Sequence, residues 1–127
     1  MLDTKVVISS FSVNDLGKAK EFYTQKLGLK LDNEMMALQF SLPGGGKMFV
    51  YPKPDHQPAS FTVLNFIVDN IDKAVDELTK EGITFEKYEG FDQDEKLIAR
   101  GRAVGKGPDI AWFKDPFGNI LSVIQDK

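Results

Sequence analysis

The chain has 127 residues, 42% of them hydrophobic, a net charge of −3 and no cysteine. That length is the natural size of one domain and buries about two thirds of its unfolded surface, so no covalent staple is needed. The composition rules out a disulfide framework, a thiolate nucleophile and any Cys-based metal site. No apolar run approaches the roughly 20 residues that cross a bilayer. The first residues, Met1-Leu2-Asp3-Thr4-Lys5, carry no apolar core of the signal-peptide kind, so the default expectation is a cytoplasmic protein without a membrane partner. Acidic and basic residues are interspersed with no basic stripe, so no nucleic-acid partner is expected.

In chain order, Lys5 to Phe11 is a β-branched strand candidate. Asn14 or Asp15 then stands where a helix cap belongs, and Leu16, Ala19, Phe22 and Tyr23 recur at three-to-four spacing, which predicts an amphipathic helix ended by Gly28. Leu29 to Asp32, Met36 to Leu42 and Lys47 to Tyr51 read as three strands. The turn Pro43-Gly44-Gly45-Gly46 joins the last two; it lacks the Lys-Ser/Thr and following helix of a phosphate loop. Residues 53–60, rich in Pro and polar side chains, read as a linker.

The pattern then begins again. Phe61 to Val68 is a strand, Asp69 or Asn70 a cap, and Ile71, Ala74, Val75 and Leu78 the apolar stripe of a helix ended by Gly82. Ile83 to Lys87 reads as a strand, and 88–107 shows no clear period beyond a strand or turn around Leu97 to Ala103. Ile110 to Lys114 and Ile120 to Gln125 flank Asp115-Pro116-Phe117-Gly118-Asn119, a hairpin whose Pro fixes φ and whose Gly-Asn tolerates positive φ. Val13, Asp15, Lys18, Ala19 and Thr24 match Val68, Asn70, Lys73, Ala74 and Thr79, each 55 positions on, and Gly28 matches Gly82 after a one-residue slip. This is an internal repeat. It gives an α+β chain of two tandem βαβββ modules, 1–52 and 61–127, around the 53–60 linker.

Phe11 to Tyr23, followed by Leu27-Gly28-Leu29, resembles the first module of the vicinal oxygen chelate superfamily, which includes glyoxalase I, bleomycin-resistance proteins and extradiol dioxygenases. Phe113 to Asn119 resembles its closing hairpin. The resemblance implies a mixed sheet curled into a cup, with small molecules bound inside, and a homodimer. Family enzymes hold a metal with four His, Glu or Gln side chains. Carried over by counting from the motifs, those positions are Ile8, Phe49, Val63 and Ser122. Three cannot ligate a divalent ion through their side chains and a lone hydroxyl ligates poorly, so neither a metal site nor another cofactor is expected.

The same carry-over assigns one face of each strand to the cup. The candidate ligand contacts are Ile8, Ser10, Phe49, Tyr51, Val63, Asn65, Arg102, Trp112 and Ser122. Each also has a plainer reading. Phe49 and Tyr51 could be core filler, Trp112 a core or dimer contact, and Ser10, Asn65 and Ser122 could satisfy one another. Arg100 and Arg102 could meet an anionic ligand or lie solvated at the surface. His56, the sole histidine, lies in the linker and reads as a surface residue. The expected function is metal-free binding of a small organic ligand, similar to bleomycin-resistance-type sequestration; the alternative is a glyoxalase-like lyase or isomerase.

Overall fold

The structure is a computed structural model that describes residues 1–127. The chain forms two compact units, Met1–Gln57 and Pro58–Lys127. In the first, strands β1 (Ser9–Val13), β2 (Lys30–Asn33), β3 (Leu38–Ser41) and β4 (Lys47–Pro52) accompany helix α1 (Leu16–Glu21). The sheet order is β1-β4-β3-β2, with β1 parallel to β4 and the other pairs antiparallel. In the second, β5 (Thr62–Ile67), α2 (Ile71–Lys80), β6 (Ala99–Arg100), β7 (Asp109–Lys114) and β8 (Ile120–Gln125) form a sheet of order β5-β8-β7-β6, again with only the first pair parallel. Each unit is thus a βαβββ module with the same strand order.

The repeat in the sequence is a repeat of local chemistry. Asp15 and Asn70 both adopt extended backbone, and their side chains accept the N–H of Lys18 (3.0 Å) and Lys73 (3.1 Å), satisfying donors that a helix leaves free in its first turn. Thr24 and Thr79, also 55 apart, each donate a hydroxyl to the carbonyl four residues back, Lys20 and Val75. The one-residue slip has a structural reason. After α1 the backbone winds through a π-helical turn, Phe22–Lys26, in which the Leu27 N–H reaches the Phe22 carbonyl. A turn of that kind accommodates one extra residue, and Gly28 lies one residue further from its cap than Gly82 does.

Alternation sorts the strand residues. In the first unit Met48, Val50 and Phe40 are fully buried with Ala19 and Tyr23, while Lys47, Phe49 and Tyr51 face the more open side. In the second, Ala111, Phe113, Leu121 and Val123 pack with Ile71, Val75 and Phe85. The opposite parity holds Ile110, Trp112, Ile120 and Ser122.

Three expectations change. The first strand begins at Ser9 rather than Lys5, since the ladder with β4 opens with Ser9 against Met48. The strand expected over Ile83–Lys87 reduces to a single bridge, Phe85 with Phe113, because β7 gives the rest of that edge to β6. The segment around Leu97 to Ala103 resolves into β6 and a short 3-10 turn, Arg102–Val104.

The β7–β8 hairpin is closed by one buried carboxylate. Asp115 Oδ1 accepts the N–H groups of Phe117 and Asn119, both at 2.9 Å, and Oδ2 accepts the Asn119 side-chain amide at 2.8 Å. Gly118 sits at φ 84°, and a Cβ there would meet the Pro58 ring at 3.2 Å, so both conformation and space call for glycine. Because Asp115 is 5% exposed and Asn119 2% exposed, Asp115→Ala leaves buried donors unpaired. It is expected to lower unfolding free energy by about 2–4 kcal/mol. Urea denaturation is the check, and a loss below about 0.5 kcal/mol would contradict this role.

Candidate functional site

Trp112 lies mid-strand in β7, opposite Ser122 of β8, which in turn lies opposite Asn65 of β5. The Ser122 hydroxyl donates to Asn65 Oδ1 at 2.6 Å, so these two polar groups satisfy each other beside the indole's strand. Tyr88 meets Trp112 at 5.5 Å between ring centroids and 84° between planes, and Phe91 meets it at 4.8 Å and 57°. Trp112 is only 8% exposed, yet it lines two clefts. One, of about 620 Å³, is bounded by Phe91, Val104, Pro108 and Ile110. The other, of about 400 Å³, is bounded by Phe61, Thr62, Tyr88, Glu89, Phe91 and Ile120.

Residues 88–107 contribute to the lining of both clefts, and side chains hold much of that segment in place. Gln93 donates to the carbonyls of Glu86 and Leu97 and accepts the Tyr88 N–H. Asp94 accepts the N–H groups of Lys96 and Ile98 and the Arg100 guanidinium. Arg100 also reaches α2, making two bonds to the Asp72 carboxylate at 2.8 and 3.0 Å. Gly101 has no alternative, since a Cβ would lie 2.5 Å from the Pro108 carbonyl.

The charges respond to this arrangement. Hydrogen bonding from Arg100 holds the Asp72 carboxyl at about 2, against an ordinary 3.8. Burial pushes Asp94 up, but the Ile98 N–H, Arg100 and the Lys96 N–H together outweigh it and leave it low. Burial raises the Tyr88 phenol, which keeps it neutral, and its hydroxyl is enclosed with no hydrogen-bond partner.

The other candidates lie as follows. Val63 sits in a bulge where Thr62 and Val63 together oppose Ile120; Thr62, not Val63, lines the smaller cleft. Arg102 pairs with buried Asp109 at 3.4 Å, and Arg100 is committed to Asp72 and Asp94. In the first unit, Phe49 lines a cleft of about 290 Å³ with Met35, Met36 and Gln39. Ser10 is exposed beside Phe49 in the ladder, Tyr51 is 39% exposed, and Ile8 precedes β1 at 37%. His56 is half-buried, with Nδ1 2.6 Å from the Ser12 hydroxyl. The residues that sequence reading missed are Tyr88, Phe91 and Glu89. They fall in a segment without periodicity, where aromatic content was the only signal.

A model of the glyoxalase/bleomycin resistance protein/dioxygenase superfamily matches residues 6–123. The chain belongs to that superfamily. Solved structures agree in fold. TnmS3, an antibiotic-binding protein from Streptomyces sp. CB03234, is 23% identical over 100% of this chain and 99% of its own, with a TM-score of 0.72. A superfamily member from Sphaerobacter thermophilus DSM 20745 is 24% identical over 97% and 98%, at 0.67. A glyoxalase/dioxygenase from Nostoc punctiforme is 18% identical over 97% and 91%, at 0.69. No curated protein matches the chain. The metal of the superfamily's enzymes does not fit the residues present. Ile8, Phe49 and Val63 offer no donor atom, the Ser122 hydroxyl is spent on Asn65, and no three His, Asp or Glu side chains are grouped to hold an ion.

The Asp72–Arg100 pair gives the loop a pH signature. A carboxyl depressed in the folded state contributes fully above its ordinary value and loses that contribution as pH falls through the folded one. Thermal midpoints of the native chain and of Asp72→Asn should therefore differ at pH 5 and converge between pH 3.8 and about 2. A gap that stays constant to pH 2 would show that the pair does not hold the loop.

Proposed function

We propose that this protein binds and sequesters a small organic ligand at the Trp112 clefts, without a metal. The observation that carries the reading is an indole that is 8% exposed yet lines two clefts, in ring contact with Tyr88 and Phe91 and on a strand beside the paired polar groups of Ser122 and Asn65. Apolar walls with sparse polar groups are the general form of small-molecule sites. Phe61 and Phe91 are 67% and 52% exposed, aromatic surface that a ligand would cover. The antibiotic-binding protein among the structural neighbours supports the same reading.

Trp112 is the sole tryptophan, so its emission reports this site alone. Across a panel of small organic molecules, at least one should quench that emission saturably and raise the thermal midpoint by several degrees, as expected near 100 times the dissociation constant. The shift should persist in EDTA, and the ligand should be recovered intact. A midpoint raised by Ni²⁺, Zn²⁺, Mn²⁺ or Mg²⁺ and lowered by EDTA, or conversion of the ligand to product, would overturn the proposal.

A further inference from the structure

The smaller cleft carries a more specific signature than apolarity. Four aromatic side chains line it, Phe61, Tyr88, Phe91 and Trp112, and Glu89 is the one charged side chain among its lining residues. Tyr88 stands at 84° to Trp112 and Phe91 at 57°, so the rings form walls that meet at steep angles rather than a parallel slot. A slot of parallel rings suits a flat ring system, whereas angled walls offer several negative π-faces to a compact, rounded cation. Neighbouring carboxylates are engaged elsewhere: Glu86 with Lys114 at 3.6 Å, Asp94 with Arg100, and Asp109 with Arg102. Lys114, the one cation on β7, is paired with Glu86. The larger cleft differs, since it holds Asp92 together with Arg100 and Lys106. Only the smaller one is aromatic and purely acidic.

We infer that the smaller cleft is a cage for an organic ammonium group, with Phe61, Tyr88, Phe91 and Trp112 as its walls and Glu89 as counter-charge. The inference rests on the ligand-binding reading above and assigns the ligand a chemical class. A volume of about 400 Å³ exceeds a trimethylammonium head and leaves room for its first substituents. Recognition by ring faces and one carboxylate would favour an alkylated ammonium over a primary amine, because methyl groups fill the walls while the charge stays diffuse.

Choline and its neutral isostere 3,3-dimethylbutan-1-ol test the assignment on the full chain, with Trp112 emission and calorimetry as readouts. Choline should bind about tenfold more tightly than the alcohol. Glu89→Gln, an exposed position where folding is unaffected, should weaken choline several-fold and leave the alcohol unchanged. Phe91→Ala, also exposed, should weaken both. Equal affinity for the two probes, no binding of choline, or a Glu89→Gln variant indistinguishable from native would overturn the cage. A neutral panel compound that binds while choline does not would remove the ammonium assignment and leave the sequestering function standing.

Discussion

The carboxylate of Asp115 sets the register on which the second unit depends. By closing the β7–β8 turn with three hydrogen bonds, two of them buried, it fixes Trp112 opposite Ser122 and, through β8, aligns Asn65 with both. Strand side chains alternate, so a slip of one residue would turn every one of them to the other face. Trp112 would then enter the packed side beside Phe85, and Ala111 and Phe113, now in the core, would point into the clefts. A polar turn thus decides which aromatic residue of β7 lines the clefts.

Much of this was legible before any coordinates. The repeat revealed two modules because equivalent positions carry equivalent chemistry: a capping Asp or Asn, a small Ala against the sheet, a Thr that folds its hydroxyl back onto the helix. The hairpin was legible because Pro116 and Gly118 restrict the backbone locally. Trp112 was singled out by its residue type and position in a strand.

What escaped the sequence was held by side chains rather than by pattern. Residues 88–107 show no period because many of their backbone groups bond the side chains of Gln93 and Asp94, and only Ala99–Arg100 join a ladder. Leu97 even adopts φ 64°, a conformation no propensity would assign to leucine. Tyr88, Phe91 and Glu89 come to Trp112 only through that loop. Arg102 was plausible as an anion contact, but its partner Asp109 lies in β7, beyond reach of local reasoning. The bulge at Val63 likewise broke the parity count along β5.

Within the superfamily this chain keeps the scaffold and lacks the donor set, and its aromatic clefts are the chemistry that remains. Their location gives the most direct test. With the side-chain indole N–H of Trp112 as a single resonance in a ¹⁵N-labelled sample, a ligand found by melting can be titrated in the presence of EDTA. The account predicts saturable displacement of that resonance, together with the amides of Tyr88, Glu89 and Phe91, while those of Met48 and Val50 stay still. Displacements confined to Met35, Met36 and Phe49, with the indole unmoved, would place the site in the first unit and contradict it.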